Sequence, residues 1–461
     1  MAEIPISHVG PSGTTATARK GHPTKGRSLD SLELPGNLSA VAVTAALVLA
    51  IVADVRNDLC RVVRGRNVVL LSILAWFLVE ALQVPAALAA YTQTEYDFGV
   101  LCVGLAMVSF LAGYETQGCP LFIRFARNVS VLDDPNLLWR LVWLSSIIGF
   151  APIVYYSGFQ FYELFSGILG MRRTWGGLIG RGRYGGVRDA LLMLEMFIEG
   201  ITPFAALMAA DRRLPLGRRG CCLAVMSWRI LRAYGSGYRS AMLSTLLPIA
   251  AVFYWKSKPQ FKRLLVLTGL MSAPLIYVAS AAMVGSRNSG AFSWSAAARV
   301  DYIGHEMFRE LLFINRNFPG TVPYQLGSTY LVQLVNPVPR FLWKGKPTLD
   351  ASILLAQMYG NVDASGEVWM TCTPGLIGEM YLNFGLAGIG LLSLFGGWIV
   401  KGWDRIPRVY EQSLPVMIFY GAGLAVLVVL GRQFTLGLFY GLLAFAVSVV
   451  FVRRARPESP I

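Results

Sequence analysis

Three groups of residues in this chain have the types and spacing to handle an anionic or hydroxyl-bearing substrate. The first is the stretch 171–190, MRRTWGGLIGRGRYGGVRDA, where Arg172, Arg173, Arg181, Arg183 and Arg188 are interleaved with glycines. A guanidinium fork binds phosphate oxygens bidentately, and glycines let backbone N–H groups approach an anion. The plainer alternative is a solvated loop meeting lipid head groups. The second group is Arg229 and Arg232, i, i+3 neighbours on one helix face, with Arg239 just past the turn Tyr234-Gly235-Ser236-Gly237-Tyr238. Arginines within a membrane are expensive and face a cavity, a partner or a substrate. They read as a pyrophosphate site, as ion-pair partners of Glu195 and Glu199, one turn apart on the preceding segment, or as side chains that snorkel to the interface. The third group joins NPVPRFLWKGKP (336–347) to TPGLIGEMYLNFGLAGIGLL (373–392). Arg340, Lys344 and Lys346 occupy a proline-bounded, aromatic-rich turn, and Glu379, Tyr381 and Asn383 lie where the next span begins. A carboxylate partly desolvated at the water–membrane boundary has a raised pKa, which suits it to take a proton from a sugar hydroxyl. Pairing with Arg340, or capping the helix, is the bland role for Glu379. His305 is the only histidine outside the N-terminal tail and the second candidate base, although a lone histidine in an aromatic loop is more often structural.

The elements that must position these groups follow from hydropathy. The 461 residues are 55% hydrophobic and 15% charged, with a mean hydropathy of +0.53; a soluble domain has about 25% charged residues. Apolar runs of roughly 17–25 residues recur along the chain, the length that crosses a hydrocarbon core of about 30 Å. Spans are expected near 38–54, 67–90, 98–113, 137–157, 190–210, 220–234, 238–255, 263–284, 376–399, 414–430 and 435–452. The expected fold class is thus an all-α polytopic membrane protein of about eleven transmembrane helices with a long, partly helical periplasmic loop.

The net charge of +15 invites a nucleic-acid reading, but the basic residues concentrate in short loops between spans. That is the positive-inside pattern, so the charge records topology and no nucleic-acid partner is expected. Arg56, Arg61, Arg64 and Arg66; Arg124 and Arg127; Arg212, Arg213, Arg218 and Arg219; Lys256, Lys258, Lys262 and Arg263; Lys401, Arg405 and Arg408; and Arg453, Arg454 and Arg456 should share the cytoplasmic side. Parity then makes 220–234 and 238–255 a hairpin and puts the N-terminal tail outside. A 220–234 helix would be only about 22 Å long, which would leave its arginine-bearing end below the membrane surface, in a cavity. Residues 1–36 are expected to be a disordered basic tail, 37–455 one transmembrane domain and 456–461 a short cytoplasmic tail. The outward loops are about 158–189 and 285–375; the second carries Trp294, Phe308, Phe313, Tyr324, Tyr330, Trp343 and Trp369, too apolar for disorder, and should form short helices over the bundle. The six cysteines lack metal-binding spacing and no Asp-x-Asp pair occurs, so neither a metal nor another cofactor is expected.

The third group resembles the oligosaccharide repeat-unit polymerases, the O-antigen polymerase or Wzy-like family. These have ten to fourteen spans and a late outward loop with a Pro-Arg-x-Leu-Trp-Pro-x-Lys-Pro-like stretch. A Gly-x-x-Gly-Glu-x-Tyr-x-Asn-Phe-Gly-x-x-Gly-like start to the next helix follows it. Pro339, Arg340, Leu342, Trp343, Lys346 and Pro347 match the former, with Lys344 where a proline is usual. Gly375, Gly378, Glu379, Tyr381, Asn383, Phe384, Gly385 and Gly388 match the latter, and Gly237-Tyr238-Arg239-Ser240 is similar to a Gly-x-Arg turn of the family. The resemblance implies a metal-independent glycosyltransferase of the bacterial inner membrane that polymerises undecaprenyl-pyrophosphate-linked oligosaccharide on the periplasmic face. Its partners would be that lipid-linked unit, membrane lipid and a chain-length regulator protein. On this reading Arg239, Arg287 and Arg340 hold the pyrophosphate with Arg172 and Arg173, while Arg229, Arg232 and Lys346 are further candidates. Glu379 is then the first candidate base and His305 the second, and Trp343, Tyr381 and Asn383 contact glycan. Two rivals stand beside it: a ligase that moves a finished glycan to another acceptor, and a transporter or flippase for the lipid-linked unit. Transporters usually carry internal repeats with broken helices in matching halves, and no repeat is visible here.

Overall fold

The structure, a computed structural model, describes residues 36–83, 88, 90–156, 193–235, 239–269, 271, 307–335, 338, 342–343, 345–347, 349–362, 368, 372–432 and 437–454. Among them 81% are helical and no strand forms, which establishes the all-α class. In chain order the helices are α1 (Leu38–Val55), α2 (Gly65–Gln83, with a π-helical turn at Leu74–Leu78), α3 (Gln93–Tyr114), α4 (Leu121–Val129) and α5 (Pro135–Tyr156). There follow α6 (Met196–Ala209), α7 (Leu216–Gly235), α8 (Arg239–Lys256), α9 (Met307–Asn317), α10 (Ser328–Val335), α11 (Ala351–Met358), α12 (Gly375–Trp403), α13 (Leu414–Leu430) and α14 (Gly437–Arg454). Five of the described helical stretches are long and apolar enough to cross a membrane: α1, α2, α3, α5 and the one that begins with α12. Shorter apolar helices occupy Met196–Ala209, Leu414–Leu430 and Gly441–Val452.

The expected span at 414–430 coincides with α13, and the one at 376–399 lies inside α12. The helix expected at 220–234 instead begins at Leu216 and has 20 residues. It is therefore about 30 Å long, and a submerged end no longer follows from its length. The long loop expected at 285–375 carries three short helices, α9 to α11. The tail assigned to 1–36, except for Gly36, lies outside the described residues, as do the loop at 158–189 and the short tail at 456–461.

The apolar side chains sort into two clusters. One joins α1, α2 and α3 to α9, α11 and most of α12, through Tyr96, Phe308 and Leu382 among others. The other joins α4 to α8 with α13 and α14, through Phe204, Phe419 and Phe445. Helix α12 ties the two together, because Val400 belongs to the first and Trp403 to the second. It packs most extensively on α3, backbone to backbone: a Cβ at Gly397 would strike the Phe110 carbonyl, and one at Gly113 the Leu394 carbonyl. Hydrocarbon gives apolar side chains no reason to prefer each other over lipid, so close approach at small residues is what holds such helices together.

Several basic loops meet at one end of this bundle. Asp404 accepts hydrogen bonds from the backbone N–H of Gly65 (2.7 Å) and Arg66 (3.1 Å), and from the hydroxyls of Tyr114 (2.9 Å) and Tyr420 (2.7 Å). It thereby caps α2 from 339 residues away. Arg405 donates to the Gln117 carbonyl at 2.9 Å, and Lys256 to the Ala210 carbonyl at 3.1 Å. At the other end Gly36 donates to Gln93 (2.6 Å), Asn37 to the Leu82 carbonyl (3.1 Å), and Arg316 of α9 to both oxygens of Glu95 (2.6 and 2.8 Å). The start of α1 and the helices of the long loop thus lie together, away from the basic end.

Candidate functional site

Helix α12 is not continuous. Gly385 has φ 62° and ψ −151°, a backbone region open essentially to glycine alone. A Cβ there would stand 2.7 Å from the Tyr324 hydroxyl. The stretch 386–403 after the break is about 27 Å long, close to a hydrocarbon thickness of about 30 Å. The turns before it, which carry Glu379 and Asn383, are surplus to a crossing.

A break strands the carbonyls of the preceding turn, and irregular backbone of this kind is tolerated only where something else satisfies it. Here the loop leading into α10 does so: the N–H groups of Gln325 and Leu326 donate to the carbonyls of Leu382 and Asn383, both at 3.0 Å. Asn383 adds its side chain. Its Oδ1 accepts from the Gly327 N–H (2.9 Å), and its Nδ2 donates to Thr329 Oγ1 (2.8 Å) and to the Glu379 carbonyl (2.9 Å). The Thr329 hydroxyl in turn donates to Glu379 Oε1 at 3.3 Å. The Asn383 and Thr329 side chains are wholly buried, and Glu379 is 1% exposed.

The polar strip continues along α10. Gln333, one turn beyond Thr329 and also buried, donates to Asp350 Oδ2 at 3.4 Å. Asp350 Oδ1 accepts the Ile353 N–H at 2.9 Å and so caps α11. Burial raises the Asp350 carboxyl above the ordinary aspartate range, against the pull of the Ile353 and Ser352 backbone N–H groups. Burial, and after it the Glu379 charge, pushes the Tyr330 hydroxyl well up. One face of α10 thus links two carboxyl groups, Glu379 and Asp350, through Thr329 and Gln333. Nothing in the sequence reading singled out Thr329, Gln333 or Asp350. The available signal was Thr329 and Gln333, two polar residues four apart in the short helix STYLVQLV, whose other positions past Ser328 are apolar or aromatic.

The structure assigns parts to the expected site residues as follows. Glu379 is deeply buried in the polar strip rather than half-wetted at a boundary. Asn383 holds the helix break, with both ends of its side-chain amide engaged inside the protein. Tyr381 is 5% exposed, its ring set edge-on to Phe98 and Tyr324, both at 6.0 Å, which likewise gives it a packing part. Lys346 is buried and donates to the Val338 carbonyl at 3.0 Å, closing its own turn. Trp343, by contrast, is 41% exposed. Arg229 pairs with Glu199 at 2.6 Å and Arg232 with Glu195 at 3.1 Å, so the ion pairing weighed as the alternative for these two arginines is what the structure contains. Arg172, Arg173, Arg287, His305 and Arg340 lie outside the described residues, and Arg239 is described only as the first backbone position of α8.

No protein-family model, no curated protein and no solved structure matches this chain.

Proposed function

We propose that this membrane protein joins lipid-linked oligosaccharide units by glycosyl transfer at the end of the bundle away from the basic loops. The carrying observation is that Glu379 and Asn383, both in the motif behind the family resemblance, form one hydrogen-bonded unit with Gly327 and Thr329, next to the break at Gly385 of the same motif. A motif used only for packing has no need of a carboxyl buried at its centre, whose burial must be offset by hydrogen bonds.

In the proposed reaction a sugar hydroxyl of one unit attacks the anomeric carbon of the glycan carried by the other. A new C–O bond forms, the bond to the pyrophosphate breaks, and the hydroxyl proton passes to the Glu379 carboxylate. The departing undecaprenyl pyrophosphate gathers negative charge, which preorganised guanidinium groups stabilise. That part falls to Arg239, Arg287 and Arg340, with Arg172 and Arg173. Arg229 and Arg232, already neutralised by glutamates, serve the frame of the site. Trp343 offers an exposed ring for sugar stacking.

The break in α12 favours a second reading, because transporters place discontinuous helices at their substrate sites. One experiment separates the readings. The purified protein, reconstituted in liposomes with an undecaprenyl-pyrophosphate-linked repeat unit, should yield a ladder of lengthened glycans. A single transfer to a foreign acceptor would identify a ligase, and movement of the unit across the bilayer without new bonds a flippase. Either result would overturn polymerisation.

A further inference from the structure

The basic end of the bundle holds a feature that glycan transfer does not use. Helix α4 is amphipathic: Leu121, Phe122 and Phe125 share one face, and Arg124 and Arg127 lie on the other. Its apolar face lies over α12 and α13, with Phe122 edge-on to Trp403 at 5.1 Å and Phe125 tilted on Phe419 at 5.2 Å. Beside these rings is a cavity of about 380 Å³ walled by α4, α12, α13 and α14. Every residue lining it is apolar, Val426, Leu442 and Ala446 among them. It is open on one side, where Leu121 and Leu443 on its rim are 62% and 56% exposed.

An apolar void stays dry, and this one is as large as small-molecule pockets of roughly 300–1,000 Å³. Beside α12, long and apolar enough to cross a membrane, and the shorter apolar helices at Leu414–Leu430 and Gly441–Val452, the filler at hand is hydrocarbon. The charge that selects which hydrocarbon stands on the opposite, outer face of α4, at the level where the head group of a lipid seated under this helix would lie. Arg124 and Arg127 are exposed, and no ion pair or hydrogen bond engages either guanidinium among the described residues. They stand beside the loop at 116–120, whose Gln117 carbonyl accepts from Arg405. Basic clusters at such a level recognise anionic head groups, and an amphipathic helix lying in the interface carries its basic face toward them.

We propose that this cavity is a binding site for an anionic phospholipid of the leaflet at the basic end: one acyl chain fills the space beside Phe122 and Phe125, and the phosphate is held by Arg124 and Arg127. The site is separate from Glu379 and does not depend on the reaction proposed above. A phospholipid there would anchor α4 on the junction of α12 and α13.

The test uses the full-length protein exchanged into nanodiscs of phosphatidylglycerol and phosphatidylcholine in equal parts, with retained lipid read by native mass spectrometry. Phosphatidylglycerol should be retained in preference. Arg124→Gln with Arg127→Gln should weaken that retention on the order of 30-fold, at about 1 kcal/mol for each arginine and tenfold for each 1.4 kcal/mol. Both arginines are exposed, so this variant keeps the fold, and Arg124→Lys with Arg127→Lys should bind nearly as wild type. Ala446→Phe, which fills the cavity, should abolish retention of either lipid. Equal retention of both lipids by the wild type, or wild-type retention by the double glutamine variant or by Ala446→Phe, would overturn the site. So would displacement of phosphatidylglycerol by undecaprenyl phosphate, since that would make the occupant a prenyl chain.

Discussion

Replacing Gly385 by alanine tests the core of the site. In place, an alanine would hold a conformation that costs on the order of 1–3 kcal/mol for any residue with a Cβ. Its methyl would also stand 2.7 Å from the Tyr324 hydroxyl and 2.9 Å from the ring carbon that bears it. The helix could instead heal, with residue 385 turning helical. The carbonyls of Leu382 and Asn383 would then return to the helix ladder, and the N–H groups of Gln325 and Leu326 would lose the 3.0 Å bonds they now make. Each such loss is worth about 1 kcal/mol at a partly exposed site. Healing would also turn 386–403 relative to the first turns, taking Gly397 off the Phe110 carbonyl it now touches. By either route the local penalty is about 2–4 kcal/mol, which raises the open population of the 324–329 loop on the order of 10²-fold. Hydrogen–deuterium exchange of peptides covering 324–329 reads this directly, with thermal stability measured alongside. Gly396→Ala is the control: it lies in the same helix with nothing within 4 Å of its Cβ, and should be neutral or stabilising by up to about 1 kcal/mol. A Gly385→Ala protein that melts and exchanges at 324–329 like the wild type would refute the break as the anchor of that loop.

Glu379→Gln keeps size and the Thr329 contact but cannot take up a proton as a carboxylate does, so single-turnover transfer should fall about 10²–10⁴-fold with melting unchanged. Normal turnover in a stable variant would remove Glu379 from the mechanism. The Arg229–Glu199 pair is a second target: Glu199→Gln alone leaves a buried guanidinium uncompensated and should cost about 3 kcal/mol. Arg229→Gln combined with Glu199→Gln should recover part of that loss, and a double-mutant cycle with no coupling would deny the pair. Asp350 gives a pH signature. Its folded-state pKa is raised, so the folded protein keeps this proton at a pH where the unfolded chain has lost it. Stability should therefore fall as pH rises from about 4, the unfolded value, up through the higher folded value. Asp350→Asn should remove that part of the slope, and an unchanged melting curve against pH would count against it.

Much of this fold was legible in the sequence because the information needed is local. A run of apolar residues long enough to cross a bilayer declares a helix wherever it occurs, and 414–430 was read to the residue. Basic loops declare an end because lysine and arginine are costly to translocate, and Asp404, Arg66 and Arg405 do come together at one end. The long loop was recognisable as structured from its aromatic content, and three helices stand in it. For Arg229 and Arg232 the sequence left a substrate, Glu195 and Glu199, or the water at the interface as partners, and only the rotation of α7 against α6 decided for the glutamates.

The break at Gly385 was invisible as a break, because 376–399 reads as one apolar run and a glycine is as compatible with a bent helix as with a straight one. What decides it is the loop at 324–327, whose N–H groups are on hand to take the freed carbonyls. The same holds for Asn383, whose polar side chain suggested a ligand and proved to be an internal brace, and for Thr329 and Gln333, whose carboxyl partners lie 50 and 17 residues away. Composition and periodicity determine which segments become helices. Which faces of those helices meet depends on rotation and register between elements far apart in the chain, and those are settled only by packing and by the need of every buried polar group for a partner.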